Sequence, residues 1–305
     1  MKVYTKHERI KEFLCSHLID GIEIVNEQKE AHFLLSGQYK KEDYHENLRG
    51  IVIPWTGHNR IDLDAMREQN LMLFVTPTRS KYVAEKAVAI TLALMGKVVH
   101  YHNLLKEGNW AERNSASRVP WETIQGKTIG LYGYGRIGTL IHKMLKGFGC
   151  EFATIDREKK YPEDITLVKN LTNLVQVSDV MIIAAPLNVT TEGVFDQRIL
   201  SRMKHKYLIN VGRGKIIDEE ALYHALLNEK IKGYASDVWY NYPKEKESCF
   251  PSSYPLHELD NVLLSNHSGG YTENTNNEVN EDLLLTLQKL KEENYEDQLD
   301  LSTLL

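Results

Sequence analysis

The chain alternates between short apolar runs and longer stretches in which apolar positions recur every three or four residues, the signatures of buried strands and of amphipathic helices. Residues 31–36, 48–53 and 71–76 are expected to be strands, with a helix at 61–69 between the last two. That order makes a βα unit and predicts a parallel sheet. From Tyr82 a helical pattern runs through Val83, Ala87, Val88, Ile90, Leu92, Leu94 and Met95, apolar nearly all round and so expected to be buried. A polar passage at 106–125, containing Gly108 and Pro120, interrupts it. Six further strands are expected at 128–133, 151–156, 180–185, 207–211, 233–238 and 262–266, joined mostly by helices. The last periodic stretch, 273–293, sets Val279, Leu283, Leu287 and Leu290 on one helical face.

Two runs of alternating strands and helices imply an α/β protein of two Rossmann-like or flavodoxin-like domains, each a doubly wound parallel sheet. The length of 305 residues agrees, because single cores stop growing near about 100 to 200 residues. The expected division gives 1–98 plus 273–305 to one domain and 99–272 to the other. The formal net charge of −5, with no cluster of positive residues, excludes a general nucleic-acid footprint. Mixed-sign runs such as Arg157-Glu158-Lys159-Lys160 read as solvated surface. Cys15, Cys150 and Cys249 are too scattered for a disulfide framework or a zinc site. No metal is expected, and a reducing cytoplasm fits best. The charged amino terminus lacks the pattern of an export signal, and no stretch reaches the roughly 18 apolar residues of a membrane span.

The most specific local feature is Gly133-Tyr134-Gly135-Arg136-Ile137-Gly138. Such a glycine pattern is weak alone, but here it closes an expected strand and opens a helix with Ile137, Leu140, Ile141, Met144, Leu145 and Phe148 at helical spacing. In that setting the first glycine makes the tight turn, the second lets a pyrophosphate approach the backbone and the third lets helix and strand pack closely. The helix start supplies free N–H groups for the phosphates. The next strand ends at Asp156, 23 residues after Gly133, where a carboxylate can accept from the ribose hydroxyls of NAD. Arg157 beside it could hold the 2′-phosphate of NADP, but the carboxylate would repel that phosphate. NAD is the expected cofactor, with NADP the less favoured alternative.

Three more clusters sit at strand ends: Asn210-Val211-Gly212-Arg213-Gly214, Asp237-Val238-Trp239 and Asn266-His267-Ser268-Gly269-Gly270. Their order and spacing resemble the D-isomer-specific 2-hydroxyacid dehydrogenases across most of the chain. Thr56-Gly57-His58-Asn59-Arg60-Ile61-Asp62 is similar to that family's substrate loop, Val83-Ala84-Glu85 to the start of its interdomain helix, and Ala185-Pro186-Leu187 to a strand end lying against the cofactor. The resemblance implies an NAD-dependent oxidoreductase acting on a small 2-oxo or D-2-hydroxy acid. It implies that Arg213 grips the substrate's carboxylate and keto oxygen with a planar, permanently charged fork. His267 would exchange a proton with that oxygen. Thr56, Gly57 and His58 would meet the substrate carboxylate, and Asp237 the nicotinamide carboxamide, with Pro186, Val211 and Gly269 as further cofactor contacts. Arg79, among pocket candidates that include Thr78, Ser80 and Tyr82, would favour an acidic or phosphorylated substrate. The resemblance also implies a homodimer, with 101–121 as an arm.

One departure bears on the chemistry. Family members usually carry a glutamate just before the proline that follows the strand-end aspartate, where it pairs with the histidine. Here Tyr242 precedes Pro243. A phenol can orient the imidazole by a hydrogen bond but, being neutral, cannot stabilise an imidazolium as a carboxylate does, so His267 is expected to titrate near the free value of about 6.5. Asn266 stands where the family usually has proline. Two alternatives stay open: an NAD(H)-binding regulatory protein with the same fold and little turnover, and a formate-dehydrogenase-like enzyme, whose histidine would pair with glutamine.

Overall fold

The computed structural model describes every residue except Leu18, Thr56, His58, Asn59, 111–119, Glu245, Lys246 and 303–305. The chain begins with β1 (Lys2–Tyr4), α1 (Glu8–Ser16), β2 (Glu23–Ile24), β3 (Phe33–Leu35), β4 (Gly50–Ile53), α2 (Leu63–Glu68) and β5 (Met72–Val75). There follow α3 (Arg79–Met95), α4 (Val98–Lys106), β6 (Thr128–Tyr132), α5 (Arg136–Leu145), β7 (Glu151–Ile155), β8 (Ile165–Val168), α6 (Leu171–Val177) and β9 (Val180–Ile183). The remainder comprises α7 (Gln197–Leu200), β10 (Tyr207–Asn210), α8 (Glu219–Leu227), β11 (Gly233–Ser236), β12 (Val262–Leu264) and α9 (Thr275–Lys291). Two compact units result: Met1–Ser80 with Gly270–Leu305, and Lys81–Gly269.

In the first unit five strands lie in the order β2-β1-β3-β4-β5, every neighbour parallel. The twofold period of a strand sends its side chains to two separate cores. Leu34, Ile51, Ile53, Leu73 and Val75 join Ala65 and Met66 of α2 on one face. Phe33, Leu35, Val52 and Phe74 join Leu14 of α1 and Leu283, Leu287 and Leu290 of α9 on the other. A sheet buried on both faces reads as a continuous apolar run, which is why β3, β4 and β5 stand out in the sequence. Helix α2 starts where Asp62 accepts a hydrogen bond from the Ala65 N–H at 2.9 Å.

The second unit carries seven parallel strands in the order β12-β11-β10-β9-β6-β7-β8. Met181, Ile183 and Leu208 face α6, α7 and α8, while Ile182, Ile209, Ile129 and Leu131 face α3 and α5. Helix α3 is one-sided rather than buried all round. Ala84, Ala87, Ile90, Thr91 and Met95 are buried, whereas Lys81, Glu85 and Ala89 face solvent. Of the apolar pattern, Val83, Val88, Leu92 and Leu94 are only partly buried, so the pattern overstates the buried face. The chain leaves β6 for β7 and β8 and returns on the opposite side at β9. The switch point of the sheet therefore lies between the ends of β6 and β9, where open α/β sheets bind ligands.

Among the described residues no helix is long and apolar enough to cross a membrane. Among the same residues no group of histidine, cysteine, aspartate and glutamate is placed to hold a metal ion.

Candidate functional site

The glycine turn occupies the switch point. Gly133 has φ of +100°, and a Cβ on it would lie 2.6 Å from the backbone nitrogen of Ala185, just past β9. A Cβ on Gly138 would overlap the carbonyl oxygen of Gly133, so strand and helix meet here without room for a side chain. Gly135 is different: the space a Cβ would fill is open. It heads α5, whose first turn has no side-chain cap and no acidic residue. Uncapped N–H groups, the positive end of the helix and open space above the backbone fit a dinucleotide pyrophosphate. Tyr134 points into the protein, 8% exposed, with its hydroxyl 2.7 Å from Nδ1 of the buried His142.

The loop after β7 folds back onto this turn. Asp156 is exposed, and its Oδ1 accepts the Glu158 N–H at 2.9 Å, while the Arg157 N–H donates to the Tyr161 hydroxyl at 3.0 Å. Lys159 donates to the carbonyl of Tyr134 at 2.5 Å, and its ammonium rests over the rings of Tyr134 and Tyr161. Desolvation lowers its pKa. The run 157–160 is exposed throughout, as expected of solvated surface, and one of its lysines also reaches back across the chain to the glycine turn. At the end of β9, Pro186 is exposed and its carbonyl accepts from Thr191 Oγ1 at 2.7 Å.

Beyond β10, the turn carrying Arg213 is stitched by Asn210, which is fully buried. Its Oδ1 accepts the Gly212 N–H at 3.0 Å and its Nδ2 donates to the Arg213 carbonyl at 2.9 Å. Val211 is buried beside it, and Arg213 Nη1 donates to the Gly212 carbonyl at 2.7 Å. Asp237, at the end of β11, is 3% exposed. Its Oδ1 accepts from Ser265 Oγ at 2.6 Å and the Ser268 N–H at 3.1 Å, and its Oδ2 accepts the Gly269 N–H at 2.8 Å. The carboxylate expected to face the nicotinamide is engaged in fixing the loop after β12.

That loop carries His267, whose backbone has φ of +56°, the left-handed region. Its ring packs against Tyr242, with centroids 5.3 Å apart and planes at 50°. The phenol oxygen of Tyr242 accepts the Trp239 N–H at 2.9 Å, and its contact with the histidine is through the rings. Partial burial and then the charge of Arg213 lower the His267 pKa, against a smaller opposing pull from Asp237. Burial also raises the Tyr242 pKa, which keeps the phenol neutral.

In the first unit, Gly57 is partly buried in the loop after β4, while Thr56 and His58 lie outside the described residues. The Arg79 guanidinium sits 4.9 Å from the centroid of the Tyr271 ring. Thr78 is bound to Asp282 Oδ2 through both its N–H, at 3.2 Å, and its hydroxyl, at 2.5 Å. Ser80 is 2% exposed. Asn210, Ser265, Ser268, Trp239 and Lys159 take part in these arrangements without having been singled out in the sequence. Only the place of Asn210, Trp239 and Ser268 inside the strand-end clusters hinted at them.

Comparison with known proteins agrees with this geometry. Residues 88–269 match the NAD binding domain of the D-isomer specific 2-hydroxyacid dehydrogenases. Among curated relatives, the D-3-phosphoglycerate dehydrogenase of Escherichia coli (strain K12) is 32% identical over 263 residues, 84% of this chain and 63% of that enzyme. The chain therefore spans somewhat less than two thirds of that relative's length. The glyoxylate reductase of Pyrococcus horikoshii is 32% identical over 246 residues, 77% of this chain and 72% of the relative. Among solved structures, the NAD-dependent formate dehydrogenase from Staphylococcus aureus in complex with NAD superposes with a TM-score of 0.73 at 25% identity, covering 96% of both chains. The protein belongs to the D-isomer specific 2-hydroxyacid dehydrogenase family, and its second unit is a dinucleotide-binding domain.

Proposed function

We propose that the protein is an NAD-dependent reductase of small 2-oxo acids, running in reverse as a D-2-hydroxyacid dehydrogenase. The observation that carries this reading is the placement of Arg213 and His267 about the loop after β11: a Cβ on Gly214, next to Arg213, would overlap the Trp239 carbonyl, and the His267 ring packs on Tyr242. The two stand past the ends of parallel strands in the sheet whose β6 runs into the glycine turn. Gly133 to Gly138 would hold the pyrophosphate, Asp156 the ribose hydroxyls, and Pro186, Val211, Asp237 and Gly269 the nicotinamide end. A bound NADH would supply the hydride to the substrate's carbonyl carbon. Arg213 would hold the substrate carboxylate and polarise the carbonyl oxygen. His267 would give its imidazolium proton to that oxygen, producing the 2-hydroxy acid, and then recover a proton from water. The substrate contacts offered by the first unit, Gly57, Arg79 and the undescribed Thr56 and His58, rest on the family resemblance.

Asp156 supports NAD over NADP, because an exposed carboxylate accepts from ribose hydroxyls and repels a 2′-phosphate. Val98, Val99 and Leu105 of α4, with Trp110 and Trp121, are exposed apolar residues of the nucleotide unit, which supports a homodimer formed through that region. Free thiols at Cys15 and Cys249, both exposed, support a reducing, cytoplasmic setting. The deciding experiment incubates the protein with NADH or NADPH and a panel of 2-oxo acids, with formate and NAD as a separate arm. Oxidation of NADH that exceeds that of the His267→Ala variant is expected; its absence on every substrate removes the enzymatic reading.

The second reading, a regulatory NAD(H)-binding protein, is favoured by Tyr242, whose phenol oxygen accepts the Trp239 N–H and which offers His267 no charge. It requires saturable NADH binding without turnover.

A further inference from the structure

Three loops of the second unit come together at one residue, Trp239, through its main chain and its indole. Trp239 is 7% exposed, and its indole Nε1–H donates to the carbonyl of Ser265, two residues before His267, at 2.7 Å. Its backbone N–H donates to the phenol oxygen of Tyr242, whose ring packs on His267. Its carbonyl lies so close to Gly214, next to Arg213, that a Cβ on that glycine would overlap it. The indole is itself fixed from the core, edge-on to the ring of Tyr234 with centroids 6.2 Å apart and planes at 89°. Tyr234 is fully buried.

These contacts explain how a strained residue stays in place. A non-glycine residue at φ of +56° is in an uncommon conformation, and contacts on both sides of His267 hold it there. Asp237 secures Ser265 Oγ before His267 and the N–H groups of Ser268 and Gly269 after it. The indole secures the remaining polar group of Ser265, its carbonyl, and ties it to the same body that supports Gly214. A buried indole N–H needs an acceptor, and a carbonyl left without its donor costs more than the bond alone contributes.

We infer that Trp239 is a positioning residue whose indole N–H holds the His267 loop at a fixed spacing from Arg213. This rests on the proposed function for its effect on turnover, and not for its effect on structure. Trp239→Phe keeps a ring against Tyr234 and removes the N–H. Replacement of Trp239 by 3-benzothienylalanine keeps the full bicyclic shape and removes the same donor, and it carries the test where the phenylalanine variant does not fold. With either, kcat for 2-oxo acid reduction is expected to fall roughly tenfold to a hundredfold, since small displacements of reacting groups have large rate effects. NADH affinity by fluorescence titration should stay within about twofold, a split that a general loss of fold does not produce.

The second readout needs no turnover: the nuclear Overhauser contact between the Tyr242 and His267 rings should weaken or vanish in the variant. If wild type reduces no 2-oxo acid, the proposed function falls while this contact still decides the inference. Folded variants with wild-type kcat and an intact ring contact would overturn it. So would variants in which kcat, NADH affinity and thermal midpoint all fall together, which is the pattern of a purely structural residue.

Discussion

β1 runs into α1 through Thr5-Lys6-His7, and β6 runs into α5 through Gly133-Tyr134-Gly135. Both strands lie at the switch point of a parallel sheet and both lead to a helix of similar length. In the first unit side chains close the turn: Thr5 Oγ1 accepts the His7 N–H at 3.1 Å and donates to the Leu35 carbonyl at 3.1 Å. Glu8 then puts a negative charge in the first turn of α1. In the second unit strand and helix meet by backbone fit, the only side chain described as bonding the turn's main chain is the cationic Lys159, the space at Gly135 is open and the first residue of α5 is Arg136. The same strand–helix geometry thus discourages an anion in one sheet and accepts it in the other. What differs is what the turn leaves out, which is why function is argued from the site and not from the fold.

The comparison breaks most sharply at Gly138. Gly138→Val places a side chain on the Gly133 carbonyl and should lower NADH affinity by at least about a hundredfold in a fluorescence titration, an effect of the size that overpacking of a close contact produces. Retained binding would mean that the turn does not hold the cofactor. The next effect asks whether the acid–base chemistry belongs to the second sheet. Reduction needs protonated His267, and the pKa of that group is lowered from 6.5. Its kcat/KM should therefore be flat at low pH, turn down at a midpoint below 6.5 and fall about tenfold per pH unit above it. Oxidation of the hydroxy acid needs the neutral imidazole and should rise through the same midpoint. Tyr242→Glu sets a carboxylate beside the ring and should move both midpoints upward by about one unit or more; unmoved midpoints would assign the titration to another group.

Smaller changes sharpen the contrast. Arg136→Glu gives α5 the acidic first turn that α1 has, and NADH affinity should drop about three- to tenfold at low ionic strength, less at high salt. Thr5→Ala opens the turn of the first unit at a cost of about 1 kcal/mol in chemical denaturation and should leave NADH affinity unchanged. A drop in affinity there would show that the two turns are not independent.

Legibility in the sequence followed burial and length. β3, β4, β5, β6, β9 and β10 are apolar on both faces and stand out, and the chain order of sheet and helix around them was readable from spacing. β1 and β2 were missed because three and two residues are too few to show a period, and β1 lies among charges. β8 was missed because Thr166 and Leu167 are exposed at the edge of the sheet, where half of the apolar signal is absent. In the site, glycines, Arg213 and His267 are visible because their chemistry is unusual at strand ends. Asn210, Ser265 and Ser268 are common polar residues whose roles depend on partners 28 or more residues away for the two serines, a relation that no local pattern records. Asp237 was visible, but its engagement with the His267 loop was not, because a carboxylate's choice among donors is decided by the fold.

The left-handed backbone at His267 has a practical corollary for anyone wishing to silence this protein cleanly. Holding an ordinary residue in that conformation costs roughly 1–2 kcal/mol, and asparagine tolerates it better than alanine does. An alanine there loses the proton, the ring contact with Tyr242 and the posture of the loop together, whereas His267→Asn loses the proton and the ring contact but keeps the posture. The gap between the two variants would gauge how much conformational tension the loop keeps in reserve.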